Sequence, residues 1–284
     1  VIALANHFVF QFRRLLDAID LEPEYPLLQF EVVDSHSSVS EHASAVTSAS
    51  MAALHVRASW QLGDNPIGNL VRYVESTGIL VVEGDFGEAD IDGVTLRPAG
   101  MKPVIVLNQN RPVDRKRFSL AHEYGHVVLH PYPYEAMEKE ANEFAAELLM
   151  PRSGVLADLK RGLSIPKLGQ LKQKWRVAMS ALIYRAKTLG VIPDESATRL
   201  YKQMSMYGYR TREPKEFDIQ PESGKLSRQL VDLHMKELGY SLEELADALR
   251  TDPIEFAQMH GLAPPQIDTK GTDKPKLRLV ASRD

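Results

Sequence analysis

The 284-residue chain contains no cysteine. That excludes disulfide frameworks, thiolate metal sites, iron–sulfur clusters and cysteine nucleophiles, so any metal must be held by His, Asp or Glu. Apolar runs approaching the roughly 20 residues of a membrane helix are missing too, so no membrane partner is expected, and a cytoplasmic protein is. Aromatic residues make up 7% of the chain. Acidic residues are scarce in one stretch: between Arg152 and Arg212 only Asp158, Asp194 and Glu195 stand against thirteen Lys and Arg. The net charge of −4 thus hides a segment of about +10 and a remainder of about −14.

What is present reads as an α+β chain. The N-terminal stretch is helical, with Phe8, Phe12, Leu15, Leu16 and Ile19 on the helical period, and residues 34–50 are small, polar and aperiodic, a linker in which His36 and His42 are solvated. Asn65-Pro66 caps a helix carrying Ile67, Leu70, Val71 and Val74 and stopped by Gly78. Ile79–Val82, Gly93–Leu96 and Pro103–Leu107 are β-branched runs spaced like a three-stranded antiparallel meander. Two helices follow, Arg115–His130 and Glu135–Met150, with Pro151 ending the second. Beyond them only helical patterns recur, and the end, Ala263–Lys276, is rich in Pro, Gly, Lys and Asp, with at most an edge strand at Lys276–Val280. No fixed-period repeat is present. The reading divides into 1–50 (helix and linker), 51–151 (a catalytic domain), 152–213 (a basic helix-turn-helix-like domain) and 214–284 (a C-terminal helical module and tail).

The chemistry concentrates in His122-Glu123-Tyr124-Gly125-His126. On a helix the i,i+4 spacing puts both imidazoles on one face, one turn apart, where their nitrogens can share a zinc ion. Glu123, between them, can take a proton from activated water and pass it to a leaving amine. The preceding Pro103–Asn108 run is expected to be an edge strand along which an extended substrate adds. The following helix offers a third ligand: Glu138 shares a face with Ala141, Ala145, Leu148 and Leu149, where an unpaired carboxylate would be costly unless it bound metal. Glu138 is the first choice; Glu140, Glu143 and Glu147 lean toward a solvated side, with Glu140 the next choice. Asn142, one turn beyond Glu138, would accept an imidazole N–H and fix its tautomer. His130 lies one more turn along, but a continuous helix cannot wrap three such residues around one metal, so it is assigned a structural or supporting role. The histidines at 7, 36, 42, 55, 234 and 260 lack ligand spacing and read as surface or linker residues. Tyr132, Tyr134, Tyr184, Tyr207 and Tyr209 could each stabilise an oxyanion, but nothing in the sequence places one near the metal.

Arg117–His130 (RFSLAHEYGHVVLH) followed by Glu138–Pro151 (EKEANEFAAELLMP) resembles the ImmA/IrrE family of bacterial and phage metallopeptidases. The likeness is specific over about residues 65–151 and weaker over 152–213. It implies a zincin-like core, zinc bound by His122, His126 and Glu138, and Glu123 as the catalytic residue. It also implies limited proteolysis of a helix-turn-helix repressor, which switches on a mobile element or a stress response. The chain has no Gly-rich, β-rich C-terminal half like the sensor domain of the radiation-response members, so it looks more like the phage and mobile-element branch.

The basic segment has its own outline. Pro166–Arg176, the turn Val177-Ala-Met and Ser180–Gly190 resemble a helix-turn-helix with Ser180 as N-cap, Leu168, Leu171, Trp175, Ile183 and Leu189 inside, and Lys172, Lys174, Arg176, Arg185 and Lys187 free to meet DNA phosphates or an acidic partner. Ser241-Leu-Glu-Glu244 is a capping box opening Leu242–Leu249, and Asp252-Pro253 opens another helix. Two rivals to the peptidase therefore stand: a DNA-binding regulator with a structural metal site, and an anti-repressor that sequesters the repressor without cutting it.

Overall fold

The computed structural model describes residues 1–17, 23–30 and 48–263. The linker expected at 34–50 and the C-terminal tail lie almost wholly outside them. The chain forms two compact units, 1–230 and 231–284.

The first unit opens with α1 (Ile2–Leu16), which buries Phe8, Phe12 and Leu15. Next come α2 (Ala49–Ser59), capped by Ser48, and α3 (Leu70–Glu75). The cap of α3 is Asn69 rather than Asn65: its side chain accepts from Arg72 N at 3.1 Å, and the helix is a turn shorter at its start than the proline suggested. Gly78, at φ +84°, supplies the left-handed residue that turns the chain into the sheet.

The sheet departs from the expected meander. Its strands are β1 (Leu80–Gly84), β2 (Gly93–Leu96) and β3 (Val104–Asn108), in the order β1-β3-β2. β1 runs parallel to β3, and only β2 is antiparallel to it. The reason is in the loops: the segment from Asp85 to Asp92 is longer than a tight hairpin needs, so it carries the chain past the central position, which β3 then fills. β3 is buried throughout and is the middle strand, not an edge. The edge that borders the helix carrying His122 and His126 is β2.

The next helix packs on this sheet, and the one after it packs on that helix and on α2. α4 (Val113–Leu129) and α5 (Met137–Leu149) meet closely because Gly125 lacks a side chain: a Cβ there would stand 3.0 Å from the Phe144 ring and 3.4 Å from the Ala141 backbone. Tyr124, on the inner face of α4, stacks on Trp60 at 5.4 Å. With Leu120, Ala121, Val127 and Val128 buried on that face, residues 122, 123 and 126 are turned toward the open side.

The remaining helices of the unit are α6 (Arg152–Leu159), α7 (Ile165–Trp175), α8 (Met179–Thr188) and α9 (Asp194–Met206). The hydrophobic core runs without interruption from Ala49 to Met204, so these helices and the sheet domain share one interior. α8 starts at Met179, with Ala178 rather than Ser180 as N-cap. The five basic side chains expected to be free all meet carboxylates of this chain. Lys172, 4% exposed, lies 2.5 Å from Asp114 and 2.7 Å from Glu213. Lys174 pairs with Asp158, Arg176 with Glu222, Arg185 with Glu147, and Lys187 with Asp194. Glu147, expected to be solvated, is therefore buried, because α5 is covered on that side by α8. Arg117 is likewise buried against Glu222 and donates to Ile67 O at 2.5 Å, holding the start of α4.

α10 (Leu226–Lys236) begins in the first unit and ends in the second. The second unit adds α11 (Leu242–Ala248) and α12 (Pro253–Met259). Ser241 and Glu244 form the capping box read from the sequence. His234 and His260 are buried, at 4% and 3% exposure, rather than surface residues. A periodic helical sequence shows which face is apolar, but a histidine can sit on either face.

Candidate metal centre

α4 presents His122 and His126 one turn apart with their Nε2 atoms 3.0 Å from each other. From α5, Glu138 places one carboxylate oxygen 3.3 Å from His122 Nε2 and the other 3.5 Å from His126 Nε2. These three residues form the metal-capable group of His and carboxylate ligands among the described residues. The spacing fits an ion: ligand atoms about 2.0–2.1 Å from a tetrahedral divalent metal stand ~3.3 Å apart. Without a cation, three groups with lone pairs converging on one point would repel. Glu138 is 63% exposed, so it does not lie on a buried face as its sequence position suggested. It stands at the mouth of the site, and the convergence of ligands accounts for its orientation.

His126 is prepared as a neutral ligand, and His122 is oriented by a hydrogen bond. Burial, and then the neighbouring His122, push the pKa of His126 down to about 4, so its lone pair is available at neutral pH. His122 Nδ1 lies 3.1 Å from Asn142 Oδ1. An amide oxygen can only accept, so the proton of His122 sits on Nδ1 and Nε2 is left to face the metal point.

Glu123 turns toward β2 instead of the ligand triangle. Thr95 Oγ1 donates to Glu123 Oε2 at 2.7 Å. Gly93 clears the space, since a Cβ at that residue would lie 3.1 Å from Glu123 Cγ. Burial raises the Glu123 pKa above the ordinary glutamate value and Glu138 adds to the rise, while the Thr95 hydrogen bond and His122 oppose it. A carboxylate with raised proton affinity, beside a metal point, can both accept a proton and return it. Thr95 and Gly93 carry no signal in the sequence beyond membership of a strand.

His130 and Glu140 belong elsewhere. The α4 helix ends at Leu129, and His130 turns back so that its Nδ1 lies 2.9 Å from His126 Nδ1, while its Nε2 lies 3.1 Å from Glu140 Oε2. Of the five tyrosines considered, Tyr134 reaches this corner, its hydroxyl donating to Glu140. Tyr132, Tyr184 and Tyr207 are exposed. Tyr207 and Tyr209 pair with each other at 5.4 Å between ring centroids.

Residues 74–187 match the family model described as Peptidase_M78, IrrE N-terminal-like domain. The match supports the ImmA/IrrE family and implies a metallopeptidase, with which the His122, His126 and Glu138 group is compatible. No curated protein matches the chain. Among the described residues no helix is long and apolar enough to cross a membrane.

Proposed function

We propose that this chain is a zinc endopeptidase with a zincin-like core that cuts a helix-turn-helix repressor and so releases a mobile element or a stress response from repression, working in the cytoplasm. The observation that carries the reading is the pairing of the His122–His126–Glu138 triangle with a separate, Thr95-anchored carboxylate. A structural metal site has no use for a general base beside it, and Glu123 is held off the triangle yet next to it.

His122, His126 and Glu138 would hold the ion. Zinc there supplies a Lewis acid that activates water and polarises the scissile carbonyl. The protein supplies the rest. Glu123 Oε1 or Oε2 takes the proton released in the attack and delivers it to the leaving amine nitrogen, and Thr95 keeps that carboxylate aimed. β2, which among the described residues pairs only with β3, offers its other edge to an extended peptide, whose backbone would pass beside Thr95 and Glu123. The basic helices dock the repressor rather than DNA in this reading. The ion pairs of Lys172, Lys174, Arg176, Arg185 and Lys187 use internally the charge that DNA phosphates would need.

The test is to incubate the protein with a candidate helix-turn-helix repressor, sought first among the genes beside its own, and follow intact masses. One pair of fragments summing to the repressor plus one water is expected, lost after chelation and restored by zinc. An intact repressor alongside a derepressed promoter would favour the non-cleaving anti-repressor, and sequence-specific DNA binding with no cut would favour the regulator.

A further inference from the structure

We infer that His130, Glu140 and Tyr134 form a positioning chain that locks the tautomer and ring plane of His126 for metal binding. The inference rests on the metal reading above.

The argument is one of hydrogen-bond direction. His126 aims Nε2 at the metal point, so a neutral His126 must carry its proton on Nδ1. The atom facing that proton, at 2.9 Å, is His130 Nδ1. It must therefore offer a lone pair, which puts the proton of His130 on Nε2. That nitrogen points at Glu140 Oε2, 3.1 Å away, an atom that can only accept. The Tyr134 hydroxyl donates to the same oxygen. Every donor along the path meets an acceptor in one sense only, outward from the metal point: His126 to His130 to Glu140.

The backbone is built to hold this arrangement. His130 leaves the helix with φ −119° and ψ 82°, which swings its ring back over the last turn. Arg97 fixes that exit by donating to His126 O at 2.5 Å and to His130 O at 2.9 Å. The His130 side chain is 2% exposed and that of Glu140 is 13% exposed, so water does not compete freely for these bonds. α5 thus divides two carboxylates two residues apart between two tasks, Glu138 toward the metal point and Glu140 toward the imidazole behind it. His122 has a simpler support in Asn142. Groups of this kind, hydrogen-bonded to a ligand's far nitrogen, raise its basicity, and removing them costs about 10–100-fold in metal affinity.

The experiment is a zinc titration against a competing chelator at one pH, on His130→Leu, His130→Gln and Glu140→Ala, with thermal melts of the metal-free proteins run in parallel. His130→Leu should bind zinc about 10–100-fold more weakly than the parent. His130→Gln should recover part of that loss, because its amide oxygen can accept from His126 and its amide nitrogen can donate to Glu140. A purely structural role would instead lower both metal-free melts alike and leave zinc affinity where it was. Zinc affinity equal to the parent's in folded His130→Leu overturns the inference, and so does equal loss in the Leu and Gln variants. If His130→Leu does not fold, Glu140→Ala decides by the same criterion. Complete loss of zinc in Glu140→Ala with retention in Glu138→Ala also overturns it, by making Glu140 a ligand. Failure of the underlying metal reading has a different signature: no zinc bound by the parent, or parent-like binding by His122→Ala.

Discussion

Glu123→Gln should bind zinc as the parent does and cut its substrate about 10²–10⁴-fold more slowly, the usual loss when a general base is removed. The expectation follows from position. Glu123 lies outside the triangle of His122, His126 and Glu138, its carboxylate occupied by Thr95 at 2.7 Å, so the amide leaves the ligands intact. Glutamine fills the same space between Gly93 and Thr95 and can still accept the Thr95 hydroxyl. It cannot take up a proton. Repressor binding should survive, because it depends on the β2 edge and the helical surface. Single-turnover cleavage with a parallel pull-down separates the two effects. Undiminished cleavage would remove Glu123 from the mechanism, and undiminished derepression in cells without cleavage would give the function to an anti-repressor.

Glu147→Ala should destabilise the first unit by about 3–5 kcal/mol, since it leaves a buried guanidinium without its counter-charge. Glu147 and Arg185 are 7% and 6% exposed at their side chains. Glu147 also accepts from Arg152 N at 2.8 Å, and Arg185 donates to Met150 O at 3.1 Å. The pair therefore ties α5, which carries Glu138, to α8 across the Pro151 turn. In a unit of this size the melting temperature should fall on the order of 10 °C. The cause is separable: Glu147→Ala combined with Arg185→Met removes the stranded charge and should melt above Glu147→Ala alone. If the double variant is no more stable than the single one, the loss comes from packing rather than from the unpaired charge.

The convergence of His122 and His126 was legible because helical spacing is itself geometry: residues 122 and 126 share a face wherever the helix goes, and Asn142 lies one turn from Glu138. Glu138 is exposed rather than on the buried face its neighbours suggest, since apolar neighbours on a helical wheel do not show where the helix emerges into a cleft. Sheet order was not legible. Alternating β-branched residues mark a strand but do not name its partner, so β3 reads as an edge when it is the centre, and nothing in the sequence marks Thr95 on β2. The fate of the basic segment was hidden for a similar reason. Asp114 is 58 residues from Lys172 and Glu147 is 38 from Arg185. A local charge count therefore sees thirteen cations with few partners, where the folded chain brings carboxylates from other segments against the helices.

Whether His122, His126 and Glu138 hold the catalytic metal is read from anomalous scattering at the zinc edge from crystals grown with zinc. The expected result is one strong peak between His122 Nε2, His126 Nε2 and the Glu138 carboxylate, with Glu123 beside it and outside bonding distance. A peak centred instead between His130 and Glu140, or zinc found only at scattered surface sites, would contradict the account.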